Sequence, residues 1–190
     1  MAVDGNRRQW LFSSFVSFAT GIVAISSPLF AAEDTQTLKG KPAPAIELKT
    51  PTGEKVSLTD QKGKVVLMDF WATWCAPCRK GLPHINEIAQ NADYKKQGLE
   101  VWAVDLREDA EKVQKFIADE KLSAVTVLLD HEGAAYDALK GDGIPTTIVV
   151  GRDGKIAAVF IGLPKEMKEI NQAVEAALKE KAPEKPASTK

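Results

Sequence analysis

Cys75-Ala76-Pro77-Cys78 constrains this chain more than any other stretch, because it holds the only two cysteines and follows closely on an apolar run. That run, Val65-Val66-Leu67-Met68-Asp69-Phe70-Trp71, reads as a strand covered on both faces. A Cys-x-x-Cys where such a strand gives way to a helix is a redox-active dithiol. Thiol–disulfide exchange needs a thiolate, and a free cysteine with a pKa of about 8.5 supplies little of it at neutral pH. At a helix start, unpaired backbone N–H groups and the positive end of the dipole favour the charged sulfur, so Cys75 is expected to attack. Cys78, one turn further in, is expected to sit deeper as a neutral thiol that resolves a mixed disulfide. Pro77 suits an early helical position, where its missing N–H costs nothing. A structural zinc site would need four ligands, and only His84 and His131 are available beside the pair, so no metal is expected. A purely structural bridge across two residues would stabilise little.

The length of 190 residues suits one compact domain with appendages. A formal net charge of -1, with acidic and basic residues interspersed, implies no nucleic-acid partner. Arg7 and Arg8 precede a largely apolar segment from Trp10 to Phe30, followed by Ala31-Ala32 and then acidic, polar sequence. Residues 1–32 therefore read as a secretory signal cleaved near Ala31 or Ala32, or else retained as a membrane anchor. Asn6-Arg7-Arg8-Gln9-Trp10-Leu11 has the look of a twin-arginine signal. Export gives the dithiol its context, since beyond the cytoplasmic membrane such a pair either makes disulfides or spends electrons undoing them.

Residues 33–41 read as a polar leader. Ile46–Leu48 and Val56–Leu58 alternate as a hairpin about Pro51-Thr52-Gly53-Glu54. A helix is expected from Cys75 to about Ala92, with Leu82, Ile85, Ile88 and Ala89 inward and a kink at Pro83. Val101–Val104 reads as a strand, 108–120 as a helix with Val113, Phe116 and Ile117 inward, and Val125–Leu129 as another strand. A short helix is expected near 134–139. Thr146–Val150 and Ile156–Ile161 flank the turn Gly151-Arg152-Asp153-Gly154. Lys165–Lys179 closes the fold as an amphipathic helix bearing Met167, Ile170, Val174 and Leu178, and 181–190 is too polar to fold. Together these predict an α/β fold, a mixed sheet between helical layers.

With these elements in place the chain resembles the thioredoxin superfamily, specifically its exported thiol:disulfide oxidoreductases of the TlpA/ResA/CcmG type. The resemblance covers about residues 42–180. It rests on Asp69-Phe70-Trp71-Ala72-Thr73-Trp74-Cys75-Ala76-Pro77-Cys78, on Pro83, on Gly143-Ile144-Pro145-Thr146 as a cis-proline loop, and on Gly162 in a third bordering loop. It implies a thioredoxin fold with an N-terminal β-hairpin and an inserted helix–strand unit. By the same resemblance Pro145, cis, sets the backbone of Ile144 beside Cys75 to receive an extended substrate. Trp71 and Trp74 would shield the dithiol, and Trp74, Ala76, Pro77, Ile144, Pro145 and Gly162 would form the substrate-binding surface. Asp69, desolvated within an apolar strand, would accept the Cys78 proton. Thioredoxin has aspartate there, many TlpA-like proteins asparagine, and the lysine that partners the aspartate in thioredoxin is replaced by Ala103. His84, which follows the helix proline, reads as a solvated helical histidine, and Arg79, Lys80 and His131 as surface residues.

The function expected is reduction of disulfides in extracytoplasmic proteins through Cys75 and Cys78. No cofactor beyond this redox-active disulfide is expected, and the molecule is expected to be a monomer. The resemblance implies a membrane thiol–disulfide electron donor, apocytochrome c thiols or copper-site cysteines as substrates, and a periplasmic or membrane-anchored location. Two alternatives stand beside it. A peroxiredoxin-like thiol peroxidase would want threonine where Ala72 stands. A copper-binding protein would use both thiolates, joined by His84.

Overall fold

The computed structural model describes residues 35–182. The signal or anchor reading of 1–32, the twin-arginine motif and most of the polar tail lie outside the described residues. At the centre is strand β3 (Val65–Trp71), with all seven residues buried. Its side chains alternate between two cores, as a period of two demands. Val65, Leu67 and Trp71 enter one with Cys75 and Cys78, while Val66, Met68 and Phe70 enter the other. Asp69 falls in register with the first set, on the dithiol side. Covering a Leu or Val fully contributes about 1.5–3 kcal/mol, so a strand with no wet face is held firmly.

Strands β1 (Glu47–Lys49), β2 (Lys55–Ser57), β4 (Leu99–Leu106), β5 (Thr126–Asp130), β6 (Thr146–Val150) and β7 (Ile156–Ile161) complete a seven-stranded sheet in the order β2-β1-β5-β4-β3-β6-β7. β3, β4 and β5 run parallel, and the remaining neighbouring pairs are antiparallel. The expected hairpin is β1–β2, and the inserted unit is helix α3 (Ala110–Asp119) with β5. This is the thioredoxin-like α/β fold with a mixed sheet.

Helix α1 (Ala76–Gln90) buries Leu82, Ile85, Ile88 and Ala89, the stripe read from the sequence, and runs on through Pro83. It stops two residues short of the expected end. Asn91 leaves helical geometry and caps α2 (Ala92–Lys96), its Oδ1 accepting the N–H groups of Asp93 and Tyr94. α3 begins at Ala110 rather than Glu108, and the closing helix α5 (Lys168–Lys179) begins after Met167 rather than at Lys165. The short helix α4 (Ala134–Ala138) follows β5.

The described part of the leader is built into the fold. Thr35–Leu38 form a 3-10 turn with Thr35 and Leu38 buried. Gly40 N–H donates to Ile156 O at 2.7 Å, and Ile156 N–H donates back to Lys41 O at 2.9 Å. Part of the β7 edge is thereby covered, which the polar composition of these residues did not reveal.

Candidate active site

β3 delivers the site and α1 frames it. Beyond Trp71 the chain turns through Ala72-Thr73-Trp74, and Cys75 becomes the N-cap of α1. The Cys78 N–H donates to Cys75 Sγ at 3.2 Å, so a sulfur takes the place a serine or aspartate oxygen ordinarily holds at a helix start. Cys75 and Cys78 are joined as a disulfide. Cys75 keeps 4% of its surface accessible and Cys78 none, which leaves the first sulfur as the one a partner reaches. Ala76 and Pro77 are exposed beside it, with Pro77 in the first turn.

Opposite the sulfurs the Ile144–Pro145 peptide is cis, and the Ile144 carbonyl oxygen lies 3.8 Å from Cys75 Sγ. Two contacts missed in the sequence brace this loop. The Tyr136 hydroxyl accepts the Gly143 N–H at 2.6 Å and lies 2.7 Å from the Gly143 carbonyl, and Gly141 leaves room for the Tyr136 ring. Gly162, at φ +76°, donates its N–H to Pro145 O at 2.7 Å and so links the third loop to the second. A groove of about 400 Å³ bordered by Trp74, Arg107, Tyr136 and Ile144 opens alongside. Trp74, Ile161 and Leu163 are the large apolar side chains that the described residues leave exposed. Trp74 adjoins Cys75, Ile161 pairs with Thr146 next to Pro145, and Leu163 packs over Gly81 of α1, so all three lie beside the segments that carry the dithiol and the cis proline.

Asp69 is 3% exposed, and the Thr147 hydroxyl donates to its Oδ1 at 2.6 Å. Thr147 and Ala103 flank it in register on the two neighbouring strands. Burial raises its pKa to about 7, against the partial lowering by the Thr147 bond. Where thioredoxin offers lysine, this site offers a methyl group and, from the other side, a hydroxyl. Asp69 is thus a core acid and does not reach solvent.

Other candidates lie elsewhere. Trp71 is wholly in the core, 5.1 Å from Phe116 between ring centroids, and contributes packing rather than docking surface. His84 is half-buried, not solvated, and its ring meets Asn171 Oδ1 at 2.7 Å and Glu87 at 3.4 Å. Arg79 pairs with Glu120 and lies over Phe116, while Lys80 and His131 are exposed. Glu108, which the sequence places in a helix, precedes that helix by two residues. Its carboxylate instead receives the Thr73 hydroxyl at 2.8 Å, the Thr73 N–H at 2.5 Å and the Lys112 ammonium.

A profile of the AhpC/TSA family matches residues 39–159. The thiol-disulfide oxidoreductase ResA of Geobacillus thermodenitrificans is 33% identical over 133 residues, covering 70% of this chain and 75% of that protein. ResA of Bacillus subtilis is 32% identical over 142 residues, covering 75% and 77%. Among solved structures, one from Chlorobium tepidum assigned as thiol:disulfide interchange protein DsbE superposes with a TM-score of 0.66 at 36% identity, over 74% of this chain and 97% of its own.

Proposed function

Because this chain belongs to the AhpC/TSA family and is a thiol:disulfide oxidoreductase, we propose that it acts outside the cytoplasm as a reductant of particular protein disulfides. The observation carrying this reading is Cys75 Sγ at the head of α1, receiving the Cys78 N–H and facing the backbone carbonyl before a cis proline. In the reduced protein the Cys78 N–H and the helix N-terminus favour a Cys75 thiolate. The thiolate attacks one sulfur of the substrate disulfide, the substrate S–S bond breaks, and its other sulfur leaves as a thiolate that takes a proton from solvent. Asp69 then accepts the Cys78 proton, and Cys78 attacks Cys75 Sγ. The Cys75–Cys78 bond forms, the second substrate sulfur departs, and two electrons have passed from the dithiol to the substrate.

A base near pKa 7 is matched to this transfer at neutral pH, being ionised often enough to accept and basic enough to hold the proton. The exposed rim of Trp74, Ile161 and Leu163 suits a polypeptide partner better than a small disulfide. Substrates in this reading are apocytochrome c or copper-site cysteines, and a membrane dithiol supplied from the cytoplasm restores the reduced state. For peroxidase chemistry Ala72, wholly buried, offers no hydroxyl in the threonine place. For copper delivery His84 is engaged with α5.

Equilibration against glutathione and dithiothreitol buffers tests the direction of electron flow. A potential near that of thioredoxin, about −270 mV, is expected, and one near the strongly oxidising end, about −120 mV, would reverse the assignment.

A further inference from the structure

A second pair of carboxyls lies beside the segment that leads into Cys75. Asp105, near the end of β4, is fully buried, and it pairs in register with Trp71, the last residue of β3. Its Oδ1 receives the Glu108 N–H at 3.3 Å, while its Oδ2 has no donor directed at it. A buried carboxylate oxygen without a donor is costly, whereas a protonated one is itself a donor. The acceptor beside it is Glu108, 8% exposed, whose side chain the Asp105 carboxyl meets and which already gathers the two Thr73 donors and Lys112.

We propose that Asp105 and Glu108 form a one-proton carboxyl pair that holds Thr73, and with it the presentation of Cys75, in place. The proton resides on Asp105, which donates to Glu108. Glu108 stays ionised and fastens the backbone and side chain of Thr73, two residues before the nucleophile. Glu108 is a positioning residue for Cys75, and Asp105 a positioning residue for Glu108.

The surrounding charges agree. Burial, then the neighbouring Glu108, push the Asp105 carboxyl up to about 8. Burial opposes ionisation of Glu108 too, yet the bonds from Lys112 and Thr73 outweigh it and keep that carboxyl below its usual range. Lys112, on α3, is the cation facing the pair, with Asp109 beyond it. β3 and β5 present Trp71 and Leu129 to Asp105, neither of which titrates near neutrality, and Arg107 is turned toward Asp137.

The test is the pH profile, from pH 5 to 9.5, for exchange of the reduced protein with oxidised glutathione. The wild type is expected to show, beyond the titrations of Cys75 and of Asp69 near pH 7, a further inflection near pH 8 as Asp105 loses its proton. An asparagine amide donates to Glu108 without titrating, so D105N is expected to keep the neutral-pH rate within about twofold and to lack that inflection. E108Q, which turns donors toward donors at Thr73, is expected to slow exchange on the order of tenfold across the profile. D105N is isosteric, so its profile decides should E108Q not fold. Persistence of the inflection in D105N, or wild-type exchange by a folded E108Q, would overturn the proposal.

Discussion

Thr147 and Asp69 show how one hydroxyl sets the working range of a buried base. Burial raises the Asp69 pKa and the Thr147 bond lowers it again, so removing the bond must move it upward from about 7. T147V is therefore expected to shift the pH dependence of mixed-disulfide resolution to higher pH, and D69N to slow that step by about 10²-fold, within the range of general-base catalysis. Stopped-flow measurement of substrate release from the Cys75 mixed disulfide checks both. Resolution in T147V that titrates at lower pH than wild type would contradict the assignment. The cysteines, Asp69 and Pro145 were legible in the sequence because each belongs to a short contiguous pattern. Thr147, Glu108 and Tyr136 were not, because their roles arise from strand register and loop approach between residues 35 or more positions apart, or across a turn that spacing does not resolve.

Elements were legible where hydrophobic period was strong, as in β3 and the inward face of α1, and their ends were not. Asn91 shows why: a side chain that caps the next helix ends the previous one, and no period records that choice. Gly81 lies inside α1, where glycine disfavours the helix by about 1 kcal/mol relative to alanine. A Cβ there would meet Leu163 Cδ1 at 2.9 Å, the free end of a flexible, partly exposed side chain. G81A is expected to raise the thermal midpoint slightly while displacing Leu163 from the rim. Turnover of a protein disulfide should fall while that of oxidised glutathione is unchanged, and equal loss for both would show that Leu163 takes no part in docking.

For the whole molecule, two buried acids shape the dependence of stability on pH. The folded pKa values of Asp69, about 7, and Asp105, about 8, exceed the ordinary value of 3.8, so the folded chain holds more protons than the unfolded chain between about pH 4 and 8. Their contribution is present at low pH and is lost as pH rises through that window. Glu108, held low, acts oppositely, its contribution being lost as pH falls. Urea unfolding of the oxidised protein is expected to give less stability at pH 8 than at pH 5.5, with the fall largely removed in D69N/D105N. A rise with pH in the wild type would contradict the burial of two neutral acids. The architecture was legible as alternating strands and helices, but the incorporation of residues 35–41 along β7 was not, since it runs through backbone hydrogen bonds and single polar contacts from Thr35 and Gln36 that follow no hydrophobic period. The exchange chemistry as a whole depends on one reactive sulfur with its partner shielded behind it. Timed alkylation of the reduced protein at pH 7 with iodoacetamide, followed by peptide mapping, measures that asymmetry directly. Cys75 is expected to be modified far faster than an unstructured peptide thiol while Cys78 remains unmodified, and equal, slow modification of both would contradict it.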